Sequence, residues 1–415
     1  MTLRTLWRRL AGPAPSTHAA DLSRVSQDLA DTGRRLDQVA RQVGLLQGLV
    51  QQQADLTLAA LRRAGWQSDE EANRQIVLQR TLSMILTGGE VIAGPWTGEV
   101  GFEVLYWIPF LNWLVEQGLD PRRLVVVSRG GAASWYRHLT ERYVDILDLL
   151  APDEFRERTA GPKKQTTARR DLDDELLGAV KDRLRLGDVD VIHPSAMYQL
   201  FAGLWQKRAA IGLAESFTSH RALIPPAGRP TDLPPDYVAA KFYYSKAFPQ
   251  TGANRRFVSD LLKRLSARMP IALMSTTARL DEHVDFQTSG RSGLYVIDAH
   301  TVPQTNLEAQ TRLICGARGF IGTYGGFSYV APFHGVRSLS FFSRRFGFEP
   351  HHLQLAERVF DALLPGGFLA LDRRAADMIE PAVERWTAPS AAPEAHVGED
   401  ANGLNPAVEG QGLTT

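Results

Sequence analysis

The fold open to this chain is limited most by a change of rhythm at Glu90. From there on, short runs of β-branched and other apolar residues alternate with longer helix-period segments. Val91-Ile92-Ala93, Leu124-Val125-Val126-Val127 and Val189-Asp190-Val191-Ile192 read as buried strands, with helices expected over Phe102–Glu116, Ala133–Leu150 and Asp171–Arg185. The prolines between Ile224 and Pro235 interrupt the alternation, because a cluster that dense fits neither a helix nor a central strand. Strands are expected again at Tyr237–Tyr243, Ile271–Met274, Leu294–Ile297, Gly319–Gly322 and Ser338–Phe342, and helices at Asn254–Met269, Leu307–Ala317 and Ser328–Gly335. Two amphipathic segments follow from Pro350 to near Trp386. Such alternation predicts parallel sheets covered by helices on both faces.

One stretch of this pattern carries chemistry. In Gly319 to Phe342 an apolar run ends in the turn Thr323-Tyr324-Gly325-Gly326-Phe327-Ser328, a helix-like segment follows, and Gly335 closes it before a second run. Gly325 and Gly326 would leave N–H groups bare at a helix start, where the helix dipole favours an anion such as a phosphate. Thr323, Tyr324 and Ser328 would add hydroxyls. The bland alternative is a tight turn whose glycines only permit an unusual backbone.

Ahead of the α/β pattern lies a different signal. Leu22, Val25, Leu29, Thr32, Leu36, Val39, Val43, Leu46 and Val50 alternate spacings of three and four, the a/d seam of a coiled coil over about four heptads. A homo-oligomerising stalk is expected; the alternative is a helix packed on its own domain. Met1 to Leu10 sets apolar residues against arginines, in the manner either of a frayed end or of a short helix on an anionic membrane surface. The expected organisation is 1–20 flexible or surface-bound, 21–63 coiled coil, 88–224 and 237–386 two α/β domains, 225–236 a linker and 387–415 disordered.

A net charge of +1 gives no basic excess for a nucleic acid. The lone Cys315 excludes a disulfide framework. With no bilayer-length apolar run and no signal-peptide core, a cytoplasmic protein is expected. Asp188 and Asp190 share a metal-ligand spacing but stand at the entry of their strand, the wrong end of the sheet, and Asp173, Asp174 and Glu175 read as a solvated helix face, so no metal is expected.

In open parallel sheets ligands bind beyond the carboxyl ends of the strands. Hydroxyls, small residues and cations recur there: Trp96, Gly98, Glu99 and Gly101 after the first run, Arg129 after the second, then His193, Lys246, Thr276, Arg279 and the 323–328 turn. Glu99 stands either as a general base or as the N-terminal charge of the aromatic helix that follows, with Glu103 one turn on. His193 is either a base or a satisfied half-buried histidine. Two such rims facing each other would enclose a cleft.

Through Gly94-Pro95-Trp96-Thr97-Gly98-Glu99-Val100-Gly101-Phe102-Glu103, the proline-rich linker and Gly322-Thr323-Tyr324-Gly325-Gly326-Phe327-Ser328, the chain resembles the GT-B class of glycosyltransferases, in particular bacterial surface-polysaccharide, heptosyl-type enzymes. The resemblance implies two Rossmann-like domains, with a nucleotide-activated sugar as substrate in the second half and no further cofactor. It implies a glycan, lipid-linked or protein acceptor in the first. By position, Lys246, Thr276, Arg279, Thr323, Tyr324, Gly325, Gly326 and Ser328 would meet the donor, and Trp96, Gly98, Gly101 and Arg129 the acceptor. Glu99 would take the acceptor proton, with Glu103 and His193 as the other catalytic candidates. The Glu-x7-Glu donor motif of retaining members is missing, which points to inversion. A nucleotide-sugar epimerase and a non-catalytic scaffold with a sugar-binding module are the alternatives.

Overall fold

A computed structural model describes residues 24–36, 38–39, 69–160, 165, 170–207, 209–228, 230, 232–276, 283–298, 302–344 and 350–387. Residues 24–36 are helical; most of the expected coiled coil, the terminal segments 1–20 and 388–415, and Arg279 lie outside the described residues.

Helix α1 (Asp69–Leu86) leads into β1 (Glu90–Ala93). Its final carbonyls are met by the Arg123 guanidinium, which donates to Met84 and Ile85 at 2.9 and 3.0 Å. Next come α2 (Val100–Phe102), a π-helical turn (Glu103–Trp107) and α3 (Ile108–Glu116), which run on without a break. After β2 (Leu124–Ser128) the chain forms only a short helix, α4 (Ala133–Tyr136), and then β3 (Tyr143–Asp145). The single helix expected over Ala133–Leu150 is therefore replaced by a helix, a strand and a 3-10 turn. Asp145 accounts for the change: its carboxylate accepts from the N–H of Leu147 at 2.9 Å, and a residue capping the next turn leaves the helical path. α5 (Pro152–Thr159), α6 (Asp171–Leu184), β4 (Val189–Ile192), α7 (Pro194–Leu200), α8 (Ala202–Trp205) and α9 (Gly212–Glu215) complete the first half.

Between Ile224 and Asp236 the described residues form neither helix nor strand. The second half holds β5 (Val238–Lys241), β6 (Tyr243–Tyr244), α10 (Gly252–Ser266), β7 (Ile271–Ser275), β8 (Val284–Asp285), β9 (Leu294–Asp298), α11 (Asn306–Cys315), β10 (Gly319–Thr323), α12 (Gly326–Phe333), β11 (Ser338–Phe342), α13 (Pro350–Leu363), β12 (Phe368–Asp372) and α14 (Ala376–Thr387). The run expected as one strand over Tyr237–Tyr243 breaks at Phe242, so that β6 pairs antiparallel with β8 in a separate ribbon. Strand β12, missed in the sequence, is an edge strand with its side chains half-buried, which weakens its apolar signature.

Both main sheets are parallel. The first has the order β3-β2-β1-β4 and the second β9-β7-β5-β10-β11-β12. In each, the first strand lies inside, successive strands step outward on one side, and the chain then crosses to the other. This is the doubly wound order, and it puts a switch point between β1 and β4 and another between β5 and β10.

The side-chain period of two divides each sheet between cores. Ile92, Val125 and Val127 pack with Val144, Phe155 and Val180 on the outer face of the first sheet. Leu273, Leu339 and Phe341 pack with Leu261 and Leu265 on the outer face of the second. The residues between them in sequence, Val91, Ala93 and Val126 and also Ala239, Ala272 and Phe320, share one middle core with Trp107, Phe110, Phe333 and Phe360. Full burial of an apolar side chain of this size contributes about 1.5–3 kcal/mol. A continuous apolar core thus joins the halves, in place of an open hinge.

Candidate functional site

Gly101, in α2, and Gly326, which starts α12, meet at the border between the halves. A Cβ on Gly326 would lie 2.9 Å from the Gly101 nitrogen and 3.0 Å from the Val100 side chain; one on Gly101 would lie 3.4 Å from Gly326. The expected cleft between the rims is closed at this point. Two helix starts of the same polarity converge here, each bringing the positive end of a backbone dipole. Gly325 before them has φ +140° and a position where a Cβ would strike the Tyr243 hydroxyl at 2.3 Å, so only glycine fits.

The hydroxyls of this turn are engaged inward. Thr323 is wholly buried; its Oγ1 donates to the Tyr243 carbonyl and accepts from the Tyr243 N–H at 2.9 and 3.0 Å. Ser328 is also buried, its Oγ donating to the Gly325 carbonyl at 2.7 Å and accepting the Gly325 N–H at 3.1 Å. Tyr324 is only 5% exposed and its hydroxyl accepts from Tyr329 at 2.8 Å. The expectation that Thr323, Tyr324 and Ser328 face a donor is corrected: these side chains close the turn from within. What the turn holds at the border is half-buried Gly325 and Gly326.

Beside the turn, buried Lys241 ends β5 with Nζ 2.8 Å from Asp285 Oδ2 and 4.9 Å from the Phe327 ring centre. The N–H of Thr276 donates to the same Asp285 oxygen at 2.9 Å. Lys241 and Asp285 escaped the sequence reading; the signal was a lysine closing the otherwise apolar run Val238-Ala239-Ala240. Lys246, singled out instead, is exposed on the loop beyond β6.

On the first rim Glu99 is half-buried at the N-cap of α2. Burial, with the charge of Glu99 as a second cause, holds the Tyr198 phenol above its ordinary range, which sets the carboxylate beside that ring. Glu103 differs. It is wholly buried, accepts from Ser128 and from Tyr136 at 2.6 Å, and lies 3.7 Å from the Arg129 guanidinium. Burial pushes its carboxyl up, against the opposing pull of Arg129 and the two hydroxyls. Arg129, itself buried, also donates to the Gly98 carbonyl and so ties the glycine turn to Glu103. Glu103 and Arg129 therefore act inside the fold, not on an acceptor.

Two further candidates are core residues. Trp96 is fully buried and stacks on Trp107 at 5.6 Å and on Tyr198 at 6.2 Å, so it offers an acceptor no face. Gly98 is needed because a Cβ there would meet the Trp96 ring at 2.9 Å. His193 is 4% exposed; its Nδ1 accepts the Ser195 N–H at 3.2 Å, capping α7, and its Nε2 lies 3.3 Å from Asp173 Oδ2. With both nitrogens turned inward, His193 has no lone pair for a substrate proton.

Asp173, expected on a solvated face, is wholly buried. Burial works to raise its carboxyl, but His193 and Arg170 outweigh it and hold the group below the usual carboxylate range. Its first-turn position in α6, where it accepts from the Arg170 N–H at 2.9 Å, turns it inward. Among the described residues no group of three or more His, Cys, Asp or Glu is placed to hold a metal ion, and no helix is long and apolar enough to cross a membrane.

No family model and no curated protein matches this chain. Solved structures do. The iron-containing dodecameric glycosyltransferase TibC from enterotoxigenic E. coli is 14% identical over 61% of this chain with a TM-score of 0.34, and the match spans 58% of that protein's length. E. coli heptosyltransferase WaaC with ADP is 14% identical over 72% of this chain and 99% of its own, with a TM-score of 0.37. A family 9 glycosyl transferase from Veillonella parvula is 12% identical over 73% of this chain and 91% of its own, with a TM-score of 0.36. The chain thus resembles bacterial heptosyl-type glycosyltransferases, at identities and superpositions that assign it no activity.

Proposed function

We propose that the protein transfers a sugar from a nucleotide-activated donor to a hydroxyl acceptor, in bacterial surface polysaccharide or glycoconjugate synthesis. The observation that carries this reading is the convergence of two helix starts at Gly101 and Gly326, with Glu99 at the cap of one of them. A diphosphate at the rim of that closed contact would neutralise two like dipole ends, and the Gly326 and Phe327 amides opening α12 would serve as its donors. As the bond from the anomeric carbon to the diphosphate breaks, negative charge collects on the departing nucleotide, where fixed N–H groups stabilise it without reorganising. Glu99 would accept the proton of the acceptor hydroxyl as its oxygen bonds to the anomeric carbon, in a single inverting displacement. Glu103, Arg129 and His193 have no part in the step; they hold the Gly98–Gly101 turn and its neighbours in place.

A second reading, a sugar-nucleotide binding module without chemistry, is favoured by the burial of Glu103, His193 and Tyr324, which leaves Glu99 as the one half-exposed catalytic candidate among the described residues. Glu99→Gln separates the two. With radiolabelled nucleotide sugars and a mixed glycan acceptor pool, transfer falls by about 10²–10⁴-fold while nucleotide affinity stays the same. Unchanged transfer by the variant removes Glu99 from the mechanism, and a wild-type protein that binds nucleotide without turnover is the module.

A further inference from the structure

Rings from both halves meet beside Glu99. Phe102 of α2 lies 6.0 Å from Tyr198 of α7, 5.7 Å from Trp205 of α8 and 5.0 Å from His352 of α13, ring centre to ring centre. Tyr106 packs among them. It is buried, meets Trp205 edge-on at 5.0 Å, and its hydroxyl lies 2.6 Å from His352 Nδ1, a hydrogen bond that ties α13 to the π-helical turn. The other four rings differ from it: Phe102, Tyr198, Trp205 and His352 are each only half-buried, whereas Trp96 and Trp107 next to them are sealed. A contiguous aromatic patch left partly in water marks a place where something else can pack. Tyr198 adds a second observation. Its carbonyl takes the Trp205 indole N–H at 3.0 Å and its ring stacks on Trp96, but its hydroxyl has no hydrogen-bond partner among the described residues. The charge that acts on this phenol is that of Glu99.

These surroundings narrow what the patch can hold. Phe102 follows Gly101 directly, so the rings lie next to the border where the two helix starts converge. An anion there would be repelled by the Glu99 carboxylate. An alkyl chain would cover the Tyr198 hydroxyl without pairing it, which is unfavourable. A sugar ring meets both demands: its C–H face is apolar and weakly positive, as the negative face of an aromatic ring requires, and its hydroxyls pair with a phenol and a carboxylate. We propose that Phe102, Tyr198, Trp205 and His352 form a stacking subsite for an uncharged sugar ring of the acceptor glycan, with the Tyr198 hydroxyl as its hydrogen-bonding group. This names the acceptor class of the transferase and rests on that reading for the role of Glu99. It also extends the expectation of an acceptor held by the first half alone, because His352 comes from the second.

Binding of a panel of neutral oligosaccharides to the full-length protein, read by saturation-transfer NMR with and without nucleoside diphosphates, tests the subsite apart from the reaction. At least one neutral oligosaccharide is expected to bind, with its ring C–H protons taking up saturation from the aromatic side chains. Trp205→Leu keeps an apolar side chain but removes the π face, and should weaken that binding about tenfold. Tyr198→Phe keeps the packing and removes one hydrogen bond, and should weaken it about fivefold. Nucleoside diphosphate affinity and the thermal midpoint of the tyrosine variant stay as in the wild type. A panel without a neutral ligand, a decyl chain or a sugar phosphate that binds in place of the neutral sugar, or variants that bind as the wild type does overturns the subsite. Sugar binding that both changes weaken, in a protein that never turns over a donor, upholds the subsite and removes the transferase reading. Transfer that needs Glu99 yet ignores both changes does the reverse.

Discussion

The two switch points follow one strand order yet are built from opposite materials. At the first, carboxylates are sealed inside: Glu103 with buried Arg129, and Asp173 with buried His193 and half-buried Arg170, brace the loops after β2 and β4. At the second, hydroxyls do most of the bracing, as Thr323, Ser328 and Tyr324 each bond within or beside the turn, and Lys241–Asp285 is the buried ion pair among the described residues there. The difference teaches that a functional-looking side chain at a strand end has two uses. It can face a ligand, or it can hold the backbone that does; in this protein most do the second.

Substitutions that leave one partner of a buried pair stranded sharpen the contrast. Arg129→Met strands the Glu103 carboxylate and is expected to cost about 3–5 kcal/mol in denaturant unfolding. The loss should shrink as pH is lowered, because a protonated Glu103 needs no cation. Lys241→Met in the second half should cost more, since it removes the ammonium 2.8 Å from buried Asp285, which keeps the Thr276 N–H, whereas Glu103 keeps the hydroxyls of both Ser128 and Tyr136. Equal losses, or a loss at Arg129 that ignores pH, would break the distinction between the two rims.

Acid reaches the seam between the halves. Burial holds His220 and His138 down to about 4, from an ordinary 6.5. His220 resists a charge because its burial, with the ring stacked on Phe333 of the other half, outweighs the Leu105 carbonyl 3.0 Å from its Nε2, which favours the proton. Since both folded values are depressed, the unfolded chain binds the protons first. The stability these groups contribute is complete above pH 6.5 and drains away as pH falls toward 4, by up to about 3 kcal/mol for each. His220→Gln should flatten that stretch of the stability curve; an unaltered curve would place the acid sensitivity elsewhere.

Much of the fold was legible because Val91-Ile92-Ala93, Leu124 to Val127 and Ile271 to Met274 are apolar on every residue, as strands buried on both faces must be. β3 was not, because Tyr143-Val144-Asp145 is too short to announce itself and its aspartate serves as a turn cap. At the candidate site the glycines were the readable part: Gly98, Gly325 and Gly326 are where a Cβ finds no room or a left-handed backbone is required. The direction of the polar side chains was not readable. Glu103, Asp173 and Ser328 turn inward because of their place in the first turn of a helix or beside a buried arginine, and composition favours the outward choice.

The account rests on an anion at the two helix starts, and calorimetric titration of the full-length protein with nucleoside diphosphates tests that most directly, with Gly326→Val as the comparison. Saturable binding of at least one diphosphate by the wild type, lost when a valine side chain forces the two helix starts apart at Gly101 in a protein that remains folded by circular dichroism, is the expected result. Binding that is the same in both proteins, or that no diphosphate shows, would contradict it.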